Sequence, residues 1–203
     1  MFRRIMTIFG KHLTSIASMS LLNTYAKIRR FFSAAIFFLF VISLLVASGC
    51  VNDEKYTHEN TTLVNIGDMA PDFSVELLDG GKTTLSSQHG QVVLLIFFST
   101  ECPDCQNQFA EIERLVAKKT PSFKILAISR GESVDATEHF RAKYTLTFDF
   151  ATDADLSIYN LYASRYVPRN FLIGPTGRVE ALTVEYNPDE LDAIWEMAEE
   201  MCQ

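Results

Sequence analysis

The sequence predicts an α/β domain built as a three-layer sandwich, a mixed central sheet with helices on both faces and an N-terminal β-hairpin extension. Three observations point there. "QVVLLIFFS", residues 91–99, is a near-continuous apolar run, the pattern of a central strand buried on both faces. Strand-like and helix-like runs alternate after it, which favours parallel strands joined by right-handed crossovers. "YVPRNFLIGPTGRVEALTVEY" then reads as two strands joined by Gly174-Pro175-Thr176-Gly177, so the sheet finishes antiparallel.

In chain order, "DFSVELLDGGKTTLSS" gives two short strands around Asp79-Gly80-Gly81, a hairpin turn signal. After the buried strand, Phe109, Ile112, Leu115 and Val116 recur at helical spacing between Pro103 and Lys119, with Glu111, Glu113 and Lys118 on other faces. "FKILAIS" is a second buried strand, "SVDATEHFRAKY" a helix, "FDFAT" a short strand and "ADLSIYNLYAS" a short helix. The last helix opens with Asn187-Pro188-Asp189-Glu190, with Asn as N-cap, Pro at N1 and Glu at N3. The aromatic residues Phe97, Phe98, Phe109, Phe140, Phe148, Phe150 and Phe171 belong to the core.

All 25 acidic residues lie at or beyond Asp53, whereas six of the 18 basic ones precede Cys50, so the part after the leader carries 12 against 25, a net −13. That balance argues against a nucleic-acid partner, and there is no basic patch, internal repeat or phosphate-cradling glycine loop. After "KIRR" comes "FFSAAIFFLFVISLLVASGC", the basic, apolar, small-residue layout of an export signal, so residues 1–49 are a targeting segment. The cysteine directly after "VASG" resembles the lipobox of bacterial lipoproteins, in which Cys50 becomes the lipidated first residue; the leucine usual three residues earlier is here Ala47. The alternative is an uncleaved anchor, since Phe31 to Val51 is long enough to span a bilayer. Either way the folded part is expected to be tethered outside the cytoplasm of a bacterium, in its cell envelope. Met19 begins a shorter version of the same leader and is an alternative start. Residues 50–65 are polar and aperiodic, as in a flexible linker, which leaves 66–203 as one domain, long enough for a single core.

Cys102-Pro103-Asp104-Cys105 stands where the buried strand gives way to a helix. A cysteine in a helix's first turn faces unpaired N–H groups and the positive end of the dipole, which favour a thiolate. Cys105 follows one turn later on the same side, so Cys102 reads as the exposed nucleophile and Cys105 as the buried resolving thiol. Pro103 suits the helix start because it lacks a donor that would go unsatisfied. Asp104 and Glu101 are tuning residues of the opposite sense, since nearby negative charge disfavours a thiolate. A less favoured thiolate makes the reduced form less stable, which predicts a reductant.

"FFSTECPDC" after a buried strand, "YVPRNFLI" further on and "GPTGRV" at the closing hairpin together resemble the thioredoxin fold, in its envelope-tethered TlpA/ResA-type branch, over Ile66 to Gln203. "IGDMAPDFSVELLDG" is similar to the N-terminal hairpin that this branch shares with the peroxiredoxins (AhpC/TSA). The resemblance implies a thiol-disulfide oxidoreductase that reduces protein disulfides through Cys102 and Cys105. It also implies a cis-proline loop in which Pro168 faces the cysteines and Val167 offers backbone hydrogen bonds to substrate. No separate cofactor is required, because the dithiol itself carries two electrons. The implied partners are cysteine-containing envelope proteins, apocytochromes among them, and a thiol electron donor. The departures from the branch are Glu101 in place of an aromatic residue, Arg169 in place of the common Thr, Gln108 at a commonly acidic position and Ile96 at thioredoxin's buried acid. They leave the proton acceptor for Cys105 unassigned.

Other readings compete. A metal site needs about four ligands, and one Cys-x-x-Cys supplies two, with His12, His58, His89 and His139 forming no cluster around it. Copper-delivery relatives resemble Cys-x-x-x-Cys with a distal histidine, a longer spacing than is found here. A peroxiredoxin-like thiol peroxidase is the stronger rival: Ser99 stands three before Cys102 with Arg169 as a charge partner, although the motif's proline is Leu95. A catalytically idle binding lipoprotein is the bland alternative. Cys202, next to the C-terminus, reads as a bystander thiol.

Overall fold

The computed structural model describes residues 61–203. The export segment, the anchor alternative, Met19 and Cys50 lie outside the described residues.

Two short strands, β1 (Ser74–Glu76) and β2 (Lys82–Thr84), pair antiparallel as the expected hairpin. Its turn places Gly80 and Gly81 at φ 87° and 88°, a region that costs glycine nothing. "LSS", the end of the stretch read as the hairpin's strands, belongs instead to a 3₁₀ turn at Leu85–Gln88. The central sheet follows with β3 (Val93–Phe98), α1 (Pro103–Lys118), β4 (Lys124–Arg130), α2 (Val134–Arg141), β5 (Asp149–Asp153), α3 (Tyr159–Tyr162), β6 (Arg169–Ile173), β7 (Val179–Val184) and α4 (Pro188–Glu200). Strand order is β5-β4-β3-β6-β7, with β3-β4 and β4-β5 parallel and β3-β6 and β6-β7 antiparallel.

The sheet has a core on each face. Alternation along β3 sends Leu94, Ile96 and Phe98 toward Phe109 and Ile112 of α1, Phe140 of α2 and Leu191, Ile194 and Trp195 of α4. Val93, Leu95 and Phe97 face the other way, onto Tyr159 and Tyr162 of α3 and Phe73, Val75 and Leu85 of the hairpin region. Every β3 side chain is buried, each worth about 1.5–3 kcal/mol of transfer free energy relative to exposure. Helices therefore cover both faces, three on one side and a single short turn helped by the hairpin on the other.

The hairpin is fastened to the sheet edge. Leu77 bridges Ala151 and the Leu78 N–H donates to the Phe150 carbonyl, covering part of the free β5 edge. Arg141 forks onto both oxygens of Asp79 at 2.6 and 2.7 Å, holding the hairpin turn to α2. α4 starts as expected, with the Asn187 side chain accepting from the N–H groups of Asp189 and Glu190.

One boundary differs. Thr61–Asn65, read as the end of the linker, is part of the folded body: Thr61 and Val64 are buried, and Thr62 pairs with Ala163 in an antiparallel bridge. Backbone bonds hold it, Leu63 N–H to the Tyr162 carbonyl and Ser164 N–H to the Thr61 carbonyl, so its polar side chains gave no periodic signal.

Candidate functional site

The carboxyl end of β3 runs through Ser99, Thr100 and Glu101 into Cys102, which is the N-cap of α1 with Pro103 at N1. Cys102 is extended, at φ −79° and ψ 119°, and its sulfur makes no capping bond to the helix. It donates instead to the carbonyl of Val167 at 3.5 Å. Gln106 closes the turn from behind, its side-chain amide donating to the Thr100 carbonyl at 2.9 Å.

Cys105 sits one turn into α1, 0% exposed, within the core formed by Phe98 and Phe109. Burial pushes its thiol far above the ordinary range, the neighbouring Cys102 thiol and the Asp104 charge add to that push, and the Ser99 N–H at 3.5 Å opposes it. The two sulfurs are thus unequal: Cys102 is half-buried at the positive end of a helix dipole, and Cys105 is a sequestered thiol held in reserve. Glu101 is exposed beside the pair and Asp104 half-buried within it.

The Val167-Pro168 peptide bond is cis, and its loop lies against Cys102, so the structure brings Cys102, Cys105, Val167 and Pro168 together. Tyr166, immediately before, adopts φ 67°, and its carbonyl accepts from the Tyr159 hydroxyl at 2.8 Å.

Arg169 does not join them. It pairs across the sheet with Phe97 and shares that residue's face, opposite to the face that holds Cys105. Its guanidinium, 0% exposed, reaches Thr61 and Thr62. The charge partner that a peroxidase reading assigned to it is therefore turned away from Cys102.

Two further groups surround the cysteines, and of these the sequence did not reveal Glu132 or the partner of Gln108. Glu132, in the loop after β4, accepts at Oε1 from the Ser99 hydroxyl at 2.7 Å and from the Thr100 N–H at 2.8 Å, while its Oε2 is buried without a partner. It fixes the turn whose Ser99 N–H touches Cys105. Topology is the signal that locates it: β4 lies parallel to β3 with Phe98 opposite Ser129, so the loops leaving both strands meet. The second group is Gln108, one turn beyond Cys105. It exchanges two 2.9 Å bonds with the side chain of Asn170, which also donates to the Thr183 hydroxyl at 2.7 Å. A neutral amide pair occupies the place where the resembling branch commonly carries an acid.

Cys202 lies just beyond α4 and is exposed, beside Val92 and Lys124 at the far end of the strands from Cys102. Among the described residues no group of three or more His, Cys, Asp and Glu side chains is arranged to hold a metal ion, and no helix is long and apolar enough to cross a membrane.

Comparison with known proteins places this geometry. Residues 66–182 match the AhpC/TSA family. The chain is 31% identical over 156 residues to a protein of Bacillus thuringiensis (strain Al Hakam) named thiol-disulfide oxidoreductase ResA, covering 75% of this chain and 90% of that one. The protein of that name from Geobacillus kaustophilus is 32% identical over 142 residues, 68% of this chain and 82% of its own. Among solved structures, a putative protein disulfide isomerase from Bacteroides thetaiotaomicron superposes with a TM-score of 0.65 at 33% identity, covering 70% of this chain and 92% of the other. A putative thiol:disulfide interchange protein DsbE from Chlorobium tepidum gives a TM-score of 0.61 at 27% identity, covering 69% and 99%.

Proposed function

From its membership of the AhpC/TSA family and its thioredoxin-like, ResA-type fold, the chain is a thiol-disulfide oxidoreductase, and we propose that it reduces disulfides of cell-envelope proteins while tethered to a membrane. The observation that carries the reading is the asymmetric pair: a half-buried Cys102 at a helix N-terminus aimed at the cis-proline loop, with the buried Cys105 one turn behind it.

The cycle starts when the Cys102 thiolate attacks one sulfur of a substrate disulfide, forming a mixed disulfide and releasing the other substrate sulfur as a thiolate that takes up a proton. Cys105 then gives up its proton and attacks the Cys102 sulfur. The second substrate sulfur leaves and is protonated, so the substrate gains two electrons and two protons and Cys102 and Cys105 form a disulfide. A thiol electron donor reverses that last state. Val167 and Pro168 receive the substrate chain beside the reacting sulfurs. Burial raises the Cys105 thiol pKa and the Asp104 charge adds to it, which supports the reducing direction.

The export layout of residues 1–49 and the cysteine at position 50 support a location outside the cytoplasm, with lipid on Cys50 or an uncleaved anchor as the tether. The clients of such a protein are exported chains bearing cysteines.

The test is a Cys105→Ser variant with its leader intact, expressed in the native cell. It performs the first attack and stalls as a mixed disulfide. Exported cysteine-bearing proteins bound through Cys102 are the expected catch; cytoplasmic proteins alone, or no adduct at all, contradict the reading.

A further inference from the structure

Four consecutive carbonyls of the segment Arg165 to Pro168 are each assigned a partner. The Arg165 carbonyl accepts from Arg169 Nε at 2.8 Å, the Tyr166 carbonyl from the Tyr159 hydroxyl at 2.8 Å and the Pro168 carbonyl from the Glu185 N–H at 2.8 Å. The fourth, that of Val167, accepts from Cys102. Three struts from inside the fold thus leave Val167 as the residue whose carbonyl meets the reacting sulfur.

Arg169 supplies one of the three directly, at Arg165, and it packs in the same buried region as Tyr159, whose hydroxyl holds Tyr166. Its remaining reach runs to the other end of the described chain, Nη1 to the Thr62 hydroxyl and Nη2 to the Thr61 hydroxyl, both at 2.7 Å. No carboxylate bonds this guanidinium among the described residues. A buried cation with no carboxylate bonded to it, Glu185 acting on it only from a distance, is a poor device for stability alone, because most of its desolvation cost is recovered through its hydrogen bonds. What the rigid fork supplies is geometry, several donors held at fixed angles, which a lysine cannot reproduce.

We propose that Arg169 is a positioning residue that latches the Arg165–Pro168 substrate loop to Thr61 and Thr62, so that the segment by which the linker enters the domain helps to shape the site that receives a disulfide substrate. This rests on the reading that the Val167-Pro168 loop receives substrate. Docking of the first described residues and competence for protein substrates are then one equilibrium: when the hydroxyls of Thr61 and Thr62 are lost, two guanidinium donors are left buried and unpaired, and the loop loses its register. The latch makes no direct contact with the reacting sulfurs, so their chemistry with a small disulfide changes less than the capture of a protein substrate.

The test uses the full-length chain in detergent, with dithiothreitol as recycling reductant, insulin as the protein disulfide and bis(2-hydroxyethyl) disulfide as a small substrate that makes little contact with the loop. Thr61→Val with Thr62→Val removes both acceptors. The expected result is a rise of about tenfold in KM for insulin, the loss of a charge-assisted hydrogen bond, with kcat changed less than about twofold. Turnover of the small disulfide changes less than about twofold. Thr61→Ser with Thr62→Ser, which keeps both hydroxyls, restores the insulin KM. An unchanged insulin KM in the folded valine pair overturns the latch, as does a parallel loss on both substrates. Should the valine pair not fold, Arg169→Lys carries the same expectation, and a wild-type insulin KM there is equally fatal. Val167→Trp separates the premise from the latch: if crowding the loop leaves the insulin KM unchanged, the loop is not the substrate site; if it raises KM while the threonine pair does not, only the latch fails.

Discussion

The Cys102 sulfur and the Val167 carbonyl oxygen, 65 residues apart in the chain, lie 3.5 Å from each other. That contact sets the nucleophile against the cis-proline loop, while Cys105 stays under Phe98 and Phe109. Iodoacetamide at pH 8 is therefore expected to label Cys102 and the exposed Cys202 and to spare Cys105 until the chain unfolds, as read by peptide mass. Cys102→Ser loses disulfide reduction altogether. Equal labelling of Cys102 and Cys105 in the folded protein would refute the division of roles.

The buried thiol also has a pH signature. Burial raises the Cys105 pKa in the folded state, so the unfolded chain, with a thiol near about 8.5, deprotonates first. The stability that Cys105 contributes is fully present below that value and is lost as pH rises above it. In a Cys202→Ser background, Tm is expected to fall more steeply between about pH 8.5 and 10 than in the same background with Cys105→Ser added. Identical slopes would mean that Cys105 is not sequestered.

Much of this site was legible in the sequence. A two-residue spacing at a strand-to-helix junction located Cys102 and Cys105, and Asp79-Gly80-Gly81 and Asn187-Pro188 marked the hairpin and the last helix through local backbone requirements. What the sequence hid depends on long-range pairing. Glu132 lies 33 residues from Ser99 and becomes its neighbour only because β3 and β4 are parallel. Arg169, which the sequence offered as a charge partner for Cys102 in the peroxidase reading, is claimed instead by Thr61 and Thr62, more than a hundred residues away. Asn170 sits in an apolar strand pattern, and only its partner Gln108 explains a buried amide there.

Glu132 should matter through its acceptor oxygen. Removing it in Glu132→Ala leaves the Thr100 N–H and the Ser99 hydroxyl without their bonds, a cost of about 1–3 kcal/mol. Glu132→Gln keeps a carbonyl oxygen at the same place and is expected to cost clearly less. Guanidinium unfolding of the two variants decides it, and an equal loss in both would assign the effect to charge.

Gln108→Glu tests the neutral amide pair. At neutral pH the new carboxylate faces the Asn170 carbonyl oxygen, acceptor against acceptor, in a site where burial raises an acid's pKa. The variant is expected to be less stable at pH 7, by about 1–3 kcal/mol, and to recover as pH falls and the acid becomes a donor again. Denaturant melts at pH 7 and pH 4.5 read the difference; a penalty that does not shrink at the lower pH contradicts the assignment.

The most direct test of the central claim is a redox titration of the Cys202→Ser protein, following the Cys102 and Cys105 couple by alkylation and mass. A reversible two-electron midpoint near that of thioredoxin, about −270 mV, is the expected result for a reductase whose Cys105 pKa is raised by burial and by Asp104. A midpoint near about −120 mV would make the protein an oxidant and reverse the proposed direction of electron flow, and the absence of any reversible couple would contradict disulfide exchange through these two cysteines.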